Sequence, residues 1–67
     1  MAKIQLNGKI TNINKDFTIK DLLKKYKLNE KKIAIELNGV ILPKKYYDKK
    51  NIKEKDRIEI VHFIGGG

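Results

Sequence analysis

The sequence contains no cysteine and no serine, and its only histidine is His62. The absence of cysteine excludes disulfide bonds, thiolate nucleophiles and zinc sites built on sulfur. The absence of serine excludes a Ser-His-Asp triad, and a single histidine cannot supply the several imidazoles of a histidine-rich zinc site. The folded body therefore offers no familiar set of catalytic residues, and we expect the protein not to be an enzyme.

Long apolar segments are also missing. No stretch approaches the ~20 apolar residues that a membrane span needs, and residues 1–5 do not resemble a signal peptide. We therefore expect a cytoplasmic protein without a membrane partner. A chain of 67 residues forms one domain, and folding at this size buries only about 60% of the surface that the unfolded chain exposes. The core must be thin.

Negative charge is scarce, because fifteen lysines and Arg57 face eight acidic residues and give a net charge of +8. Such an excess favours anionic partners, so a basic nucleic-acid-binding module is one alternative for the function. Nucleic-acid readers usually depend on arginine forks or on stacked aromatic side chains, whereas these lysines are spread along the chain. We interpret them as a solvated surface and expect no nucleic-acid partner.

The first 14 residues predict a β-hairpin. Alternating residues flank Asn7-Gly8, the dipeptide best suited to the positive φ angles of a two-residue turn. In the return strand, Ile10 and Ile13 are three positions apart and break the period of two. This spacing predicts a bulge or an early strand end near Asn12.

One amphipathic helix follows. Thr18 can cap its start, with Asp21 three positions later in the place of the usual glutamate. Apolar residues then recur with helical spacing and predict a stripe that covers a sheet, formed by Ile19, Leu22, Leu23 and Tyr26.

A second hairpin is predicted around Asn38-Gly39, and Pro43 ends it. The polar segment 44–55 predicts an irregular connection or a short helical turn. Three apolar or aromatic residues within it are expected to anchor it on the core, namely Tyr46, Tyr47 and Ile52.

The last strand, 57–64, is apolar on both faces, which is typical of a strand in the middle of a sheet. Pairing of the first and last strands at the centre, with hairpins on both sides and a helix across one face, gives an α+β ubiquitin-like β-grasp with a mixed sheet of four to five strands. Val61 and Phe63 would then lie on the face that the helix leaves open. An exposed apolar patch on so small a protein predicts partner docking there.

The glycines Gly65, Gly66 and Gly67 follow the last strand directly. A triglycine segment is also typical of a flexible linker, but the direct junction with a central strand and the lack of other reactive groups favour a functional tail. Because glycine has no Cβ atom, such a tail can be threaded through a narrow channel to a buried nucleotide. We predict a single domain over 1–64 and a flexible glycine tail over 65–67.

The α-carboxylate of Gly67 is the remaining reactive group. A carboxylate is a poor acyl donor until it attacks the α-phosphate of ATP and becomes an acyl-adenylate. A sulfur donor can then displace AMP and leave a thiocarboxylate. The chain would supply only the acid, whereas ATP, magnesium and charge stabilisation would come from a partner enzyme. We expect the chain itself to bind no cofactor.

The stretch 56–67 resembles the family of sulfur-carrier proteins of thiamine thiazole biosynthesis, and the resemblance extends through 38–43 and 18–23 to the whole chain. It implies that Gly67 is the adenylated and thiolated residue. It also implies three partners: an adenylyltransferase similar to ubiquitin-activating enzymes, a sulfur donor such as a cysteine desulfurase, and thiazole synthase. Lys55 departs from the pattern, because the family commonly has glycine there, which concerns turn geometry.

Two related functions remain as alternatives. The small sulfur-carrier subunit of molybdopterin synthase uses the same tail chemistry, but it is typically longer between the helix and the last strand, so the short connection 44–55 favours the thiazole carrier. A ubiquitin-like modifier that is conjugated to other proteins is the second alternative.

Overall fold

The structure, a computed structural model, describes residues 1–63, which form a five-stranded sheet and one α-helix. The elements are β1 (Ala2–Leu6), β2 (Lys9–Ile13), α1 (Ile19–Lys25), β3 (Ile33–Leu37), β4 (Val40–Ile41) and β5 (Arg57–His62). The order in the sheet is β2-β1-β5-β3-β4, with β1 and β5 parallel at the centre and the hairpin partners antiparallel. The predicted β-grasp is confirmed, with five strands.

Both Asn-Gly pairs form the predicted hairpin turns. Asn7 and Gly8 have φ angles of 49° and 83°, and Asn38 and Gly39 have φ angles of 53° and 87°. Two consecutive positive φ angles give a turn whose twist matches that of the flanking strands. The turns therefore fix the register of both hairpins.

The predicted irregularity in β2 is wrong. Its pairing with β1 runs without interruption from the pair Ala2–Ile13 to the pair Leu6–Lys9. Since side chains alternate along a regular strand, Ile13 points into the core and Ile10 points away from it. Ile13 is buried, whereas 69% of Ile10 is exposed. The broken period reflects an apolar residue on the outer face and not a bulge.

Helix α1 begins with a complete capping box. The Asp21 N–H donates to Thr18 Oγ1 at 3.1 Å, and the Thr18 N–H donates to Asp21 Oδ2 at 3.0 Å. The hydrogen bonds from the Thr18 backbone and side chain lower the pKa of Asp21. Ile19 and two leucines of the helix are buried as predicted. Tyr26 lies at the C-cap instead of in the buried stripe, and 41% of it is exposed.

The helix ends in a Schellman motif. The Leu28 N–H donates to the Leu23 carbonyl at 2.9 Å, and the Lys27 N–H donates to the Lys24 carbonyl at 3.1 Å. This motif needs a left-handed residue just after the helix, a position that glycine usually occupies. Here Lys27 takes it, with φ of 57°. Lys55 is also left-handed, with φ of 70°, a conformation in which glycine bears no steric cost.

The connection between β4 and β5 contains the predicted short helical turn, a 3₁₀ turn over Lys44–Tyr46. Tyr47 and Ile52 are buried and anchor the connection, but Tyr46 is 43% exposed and is not part of the core, so the prediction for Tyr46 is wrong. Burial raises the pKa of the Tyr47 phenol above its ordinary value, and the nearby Glu30 charge acts in the same direction.

The core lies between α1 and one face of the sheet and contains only apolar and aromatic side chains. Seven of them are almost completely buried, namely Ile4, Ile13, Ile19, Leu22, Ile33, Ile35 and Ile58. Within residues 1–63, no helix is long and apolar enough to cross a membrane. The opposite face of the sheet has no covering layer in this part of the chain.

Candidate functional site

Strand β5 leads to the predicted site and occupies the centre of the sheet. On its inner face Ile58 is fully buried, while the alternate residues point to the face opposite α1. Val61 lies opposite Ala34 of β3, and about half of its surface, 50%, is exposed. Phe63, just beyond the strand, is 47% exposed. The structure therefore brings both predicted docking residues to one open surface.

Side chains from both hairpin turns hold β5 in place. The Ile60 N–H donates to Asn7 Oδ1 at 2.7 Å, and the Arg57 N–H donates to Asn38 Oδ1 at 2.8 Å. Each asparagine thus provides a turn conformation and a hydrogen bond to the central strand. The sequence analysis identified the turns but missed this second role, although an asparagine instead of another turn residue at both positions was an available signal.

The beginning of β5 is further fixed by Asp56. Its Oδ1 accepts a hydrogen bond from Asn38 Nδ2 at 3.1 Å, and its Oδ2 accepts from the Lys53 N–H at 2.8 Å. The Asn38 N–H also donates to the Arg57 carbonyl at 2.7 Å. This network ties the turn before β4 to the turn before β5, so the start of the central strand has a defined position.

The end of β5 is anchored by backbone and side-chain contacts. The Phe63 N–H donates to the Lys32 carbonyl at 2.9 Å. Lys44 Nζ lies 5.7 Å from the centre of the Phe63 ring, a distance at which a cation–π attraction is effective, and it also donates to the Glu30 carbonyl. Phe63 is therefore held on two sides, and sequence reasoning did not identify either lysine.

The glycines named as sites, Gly65, Gly66 and Gly67, lie outside the described residues, as does Ile64. The division into a domain over 1–64 and a tail over 65–67 accordingly stays a prediction. Within residues 1–63, no group of three or more histidine, cysteine or acidic side chains is placed to hold a metal ion. His62 is exposed at the end of β5.

The parallel pairing of β1 and β5 at the centre of a mixed sheet crossed by one helix defines a ubiquitin-like β-grasp protein. In this chain the central strand is followed within a few residues by consecutive glycines. The model of the ThiS family matches residues 4–67, a range that includes these glycines. The chain belongs to the ThiS family.

Individual relatives agree with this assignment. The sulfur carrier protein ThiS of Bacillus subtilis is 46% identical over 65 residues, which are 96% of this chain and 98% of that protein. A thiazole synthase of Paramagnetospirillum magneticum is 37% identical over 65 residues, which are 97% of this chain but only 20% of that protein. The crystal structure of ThiS from Geobacter metallireducens superimposes with a TM-score of 0.83 at 28% identity and covers 97% of this chain and 99% of its own.

Proposed function

We propose that this chain is a sulfur carrier of thiamine biosynthesis and that it carries sulfur as a thiocarboxylate on Gly67. The observation that supports this most directly is the match to the ThiS family through residue 67. The anchored end of β5 adds a structural reason, because a fixed Phe63 gives the following residues a defined starting point. The same match favours the thiazole pathway over the molybdopterin synthase subunit and over a protein modifier.

In the proposed reaction this chain is a substrate and not a catalyst. The Gly67 carboxylate attacks the α-phosphate of ATP, pyrophosphate leaves, and an acyl-adenylate forms. A sulfur nucleophile then attacks the acyl carbon and AMP leaves. Hydrosulfide gives the thiocarboxylate directly, whereas a persulfide gives an acyl disulfide, whose S–S bond a thiol must then reduce to release the thiocarboxylate. An adenylyltransferase similar to ubiquitin-activating enzymes supplies ATP, magnesium and stabilisation of the developing charge, and a donor such as a cysteine desulfurase supplies the sulfur.

Thiazole synthase is the proposed acceptor of this sulfur. A segment similar to nearly the whole of this chain makes up a fifth of two thiazole synthases, from Paramagnetospirillum magneticum and Magnetococcus marinus. Joining two proteins in one polypeptide raises their effective concentration toward each other, which is useful when they act in succession. The separate chain must find the same partner by docking.

The exposed surface around Val61 and Phe63 is the proposed docking site for the adenylyltransferase. Both side chains lie close to the root of the tail, and both offer apolar area that a partner can bury. An enzyme that covers this surface would have the tail directed toward its nucleotide. Docking and insertion would then be coupled by geometry.

Intact-mass measurement tests the proposal. Incubation with ATP, magnesium, the host's adenylyltransferase and a sulfur source should replace one oxygen of the chain by one sulfur, and fragmentation should locate the change at Gly67. An unchanged mass would count decisively against a carrier role if the same adenylyltransferase preparation is active on a known carrier protein.

A variant with one alanine appended after Gly67 provides the matched control. Its folded body is identical, but the reactive carboxylate is moved along the chain and carries a Cβ atom, which a narrow channel excludes. We expect no sulfur on this variant and an unchanged circular dichroism spectrum. Normal thiolation of the extended chain would contradict the threading argument.

A further inference from the structure

A groove runs along the free edge of the sheet beside β4. It has a volume of about 310 Å³ and is bounded by β4 on one side and the 3₁₀ turn on the other. Its lining is formed by Leu37, Val40, Ile41, Leu42, Tyr46, Lys49 and Lys50. The lining is therefore mostly apolar, with two lysines and no carboxylate.

The apolar side chains of this groove are open to solvent. Val40 is 69% exposed, Ile41 is 60% exposed and Tyr46 is 43% exposed. These three belong to a small set of exposed large apolar residues in the described part of the chain, and they lie together. Clustering of exposed apolar area on a small monomer marks an interaction surface.

The backbone of β4 adds a directional feature. The Leu42 N–H donates to the Ile35 carbonyl at 2.9 Å. Because hydrogen-bonded and non-hydrogen-bonded pairs alternate in an antiparallel ladder, Ile41, opposite Glu36, directs its N–H and C=O away from β3. The free edge is short, since Pro43 follows, so it can accept a brief extended contact but not a whole added strand.

Charge decides which occupant fits. A second copy of this chain would bring another molecule of net charge +8 against the lysines of the groove, which like-charge repulsion opposes. A nucleic acid would match the charge, but the lining offers its bases a single aromatic side chain, Tyr46, for stacking. An apolar protein segment that carries carboxylates satisfies both the floor and the two lysines.

We propose that this groove binds a segment of thiazole synthase that presents apolar side chains flanked by aspartate or glutamate. The proposal rests on the carrier function argued above. It assigns different surfaces to the two enzymes: the adenylyltransferase meets the surface around Val61 and Phe63, and thiazole synthase meets the groove. The two surfaces also lie on different sides of the sheet, since Val40 pairs with the buried Leu37 on the helix side, whereas Val61 lies on the open side.

Calorimetric titration of the carrier into the host's thiazole synthase tests this assignment. Val40→Asp should raise the dissociation constant about tenfold or more, since burying a valine side chain typically contributes enough free energy for that change. Ile10→Asp is the matched control, because Ile10 is another β-branched residue of an edge strand and is equally exposed, at the far side of the sheet. It should leave the dissociation constant within about twofold of the wild-type value.

A charge variant tests the lysines independently. The double variant Lys49→Glu/Lys50→Glu should weaken binding and remove most of its dependence on salt, because charges at the rim of an interface control steering. The double variant Lys9→Glu/Lys53→Glu changes the net charge equally at positions away from the groove and should have a much smaller effect. Equal losses from both double variants would overturn the assignment in favour of diffuse charge attraction.

Thiolation of the same variants separates this proposal from the carrier function. Val40→Asp should still gain sulfur from the adenylyltransferase at the wild-type rate. If it binds thiazole synthase as tightly as the wild type, or loses thiolation instead, the groove assignment is wrong while the carrier function stands. If the wild-type chain never gains sulfur, the carrier function is wrong. A urea titration of each variant establishes that its fold is intact.

Discussion

Replacement of Lys27 by glycine should stabilise the fold. Lys27 follows the C-cap of α1 with φ of 57°, in the region that L-residues rarely adopt. Its own N–H and that of Leu28 close the Schellman motif, so the left-handed conformation is required whichever residue is present. Lysine therefore bears a conformational cost that glycine at this position does not.

The size of the effect follows from two opposing contributions. A left-handed conformation costs an L-residue roughly 1–2 kcal/mol, and glycine avoids this cost. Glycine also makes the unfolded chain more flexible, which lowers the free energy of unfolding by about 0.5–1 kcal/mol. The midpoints of these two ranges give a net gain of about 0.75 kcal/mol of unfolding free energy. For a domain of this size that corresponds to a rise in Tm of about 3 to 6 °C.

Thermal unfolding followed by circular dichroism, together with urea titration, measures this gain. Lys25→Gly is the matched control, since it removes the same charge two positions earlier but within the helix. It should lower the unfolding free energy by up to about 1 kcal/mol, because glycine is a poor helix former. If both variants lower Tm, the conformational argument for Lys27 is refuted.

Two further predictions concern the docking surface and the buried tyrosine. Phe63→Asp should weaken binding of the adenylyltransferase by about tenfold or more, because a phenylalanine that the partner would bury is replaced by a charge. Calorimetry should find little change for Ile10→Asp. Equal losses would indicate nonspecific effects of the added charge. The raised pKa of Tyr47 means that the fold favours its neutral phenol. The stabilisation from this preference is complete below the ordinary tyrosine pKa of about 10. It is lost as the pH rises beyond that value, because the unfolded chain then ionises first. Tyr47→Phe should therefore lose less stability than the wild type in urea titrations above pH 10, and identical pH profiles would argue against this role of burial.

The outline of the fold could be predicted because its signals are local. Two Asn-Gly turns fixed two hairpins, a capping box fixed the start of α1, and an apolar final strand indicated the centre of the sheet. Each of these depends on residues that are close in sequence, so patterns alone were sufficient. The chemistry predicted for Gly67 came from the lack of other reactive groups and from the resemblance to a carrier family, and it stays a prediction.

Features that depend on distant partners could not be predicted in the same way. The hydrogen bond from Ile60 to Asn7 joins positions 53 residues apart, and the contact of Lys44 with Phe63 arises only when the connection 44–55 returns to the end of β5. The predictions for Ile10 and Tyr46 were wrong because the residue type alone does not show whether an apolar side chain is buried or exposed. Their exposure depends on which face the completed sheet leaves open.

In the proposed reaction, the anchoring of β5 limits where the adenylyltransferase can place its nucleotide. Asn38, Asn7 and Lys32 hold the strand at its start, middle and end, so the position of Phe63 relative to the sheet is fixed. Four residues follow Phe63, and a fully extended chain spans about 3.5 Å per residue, or about 14 Å in total. An adenylyltransferase that docks on this body must therefore present the α-phosphate of ATP within that distance of Phe63. One appended alanine moves the carboxylate by a quarter of this reach, which is large compared with the near-contact distance that nucleophilic attack requires.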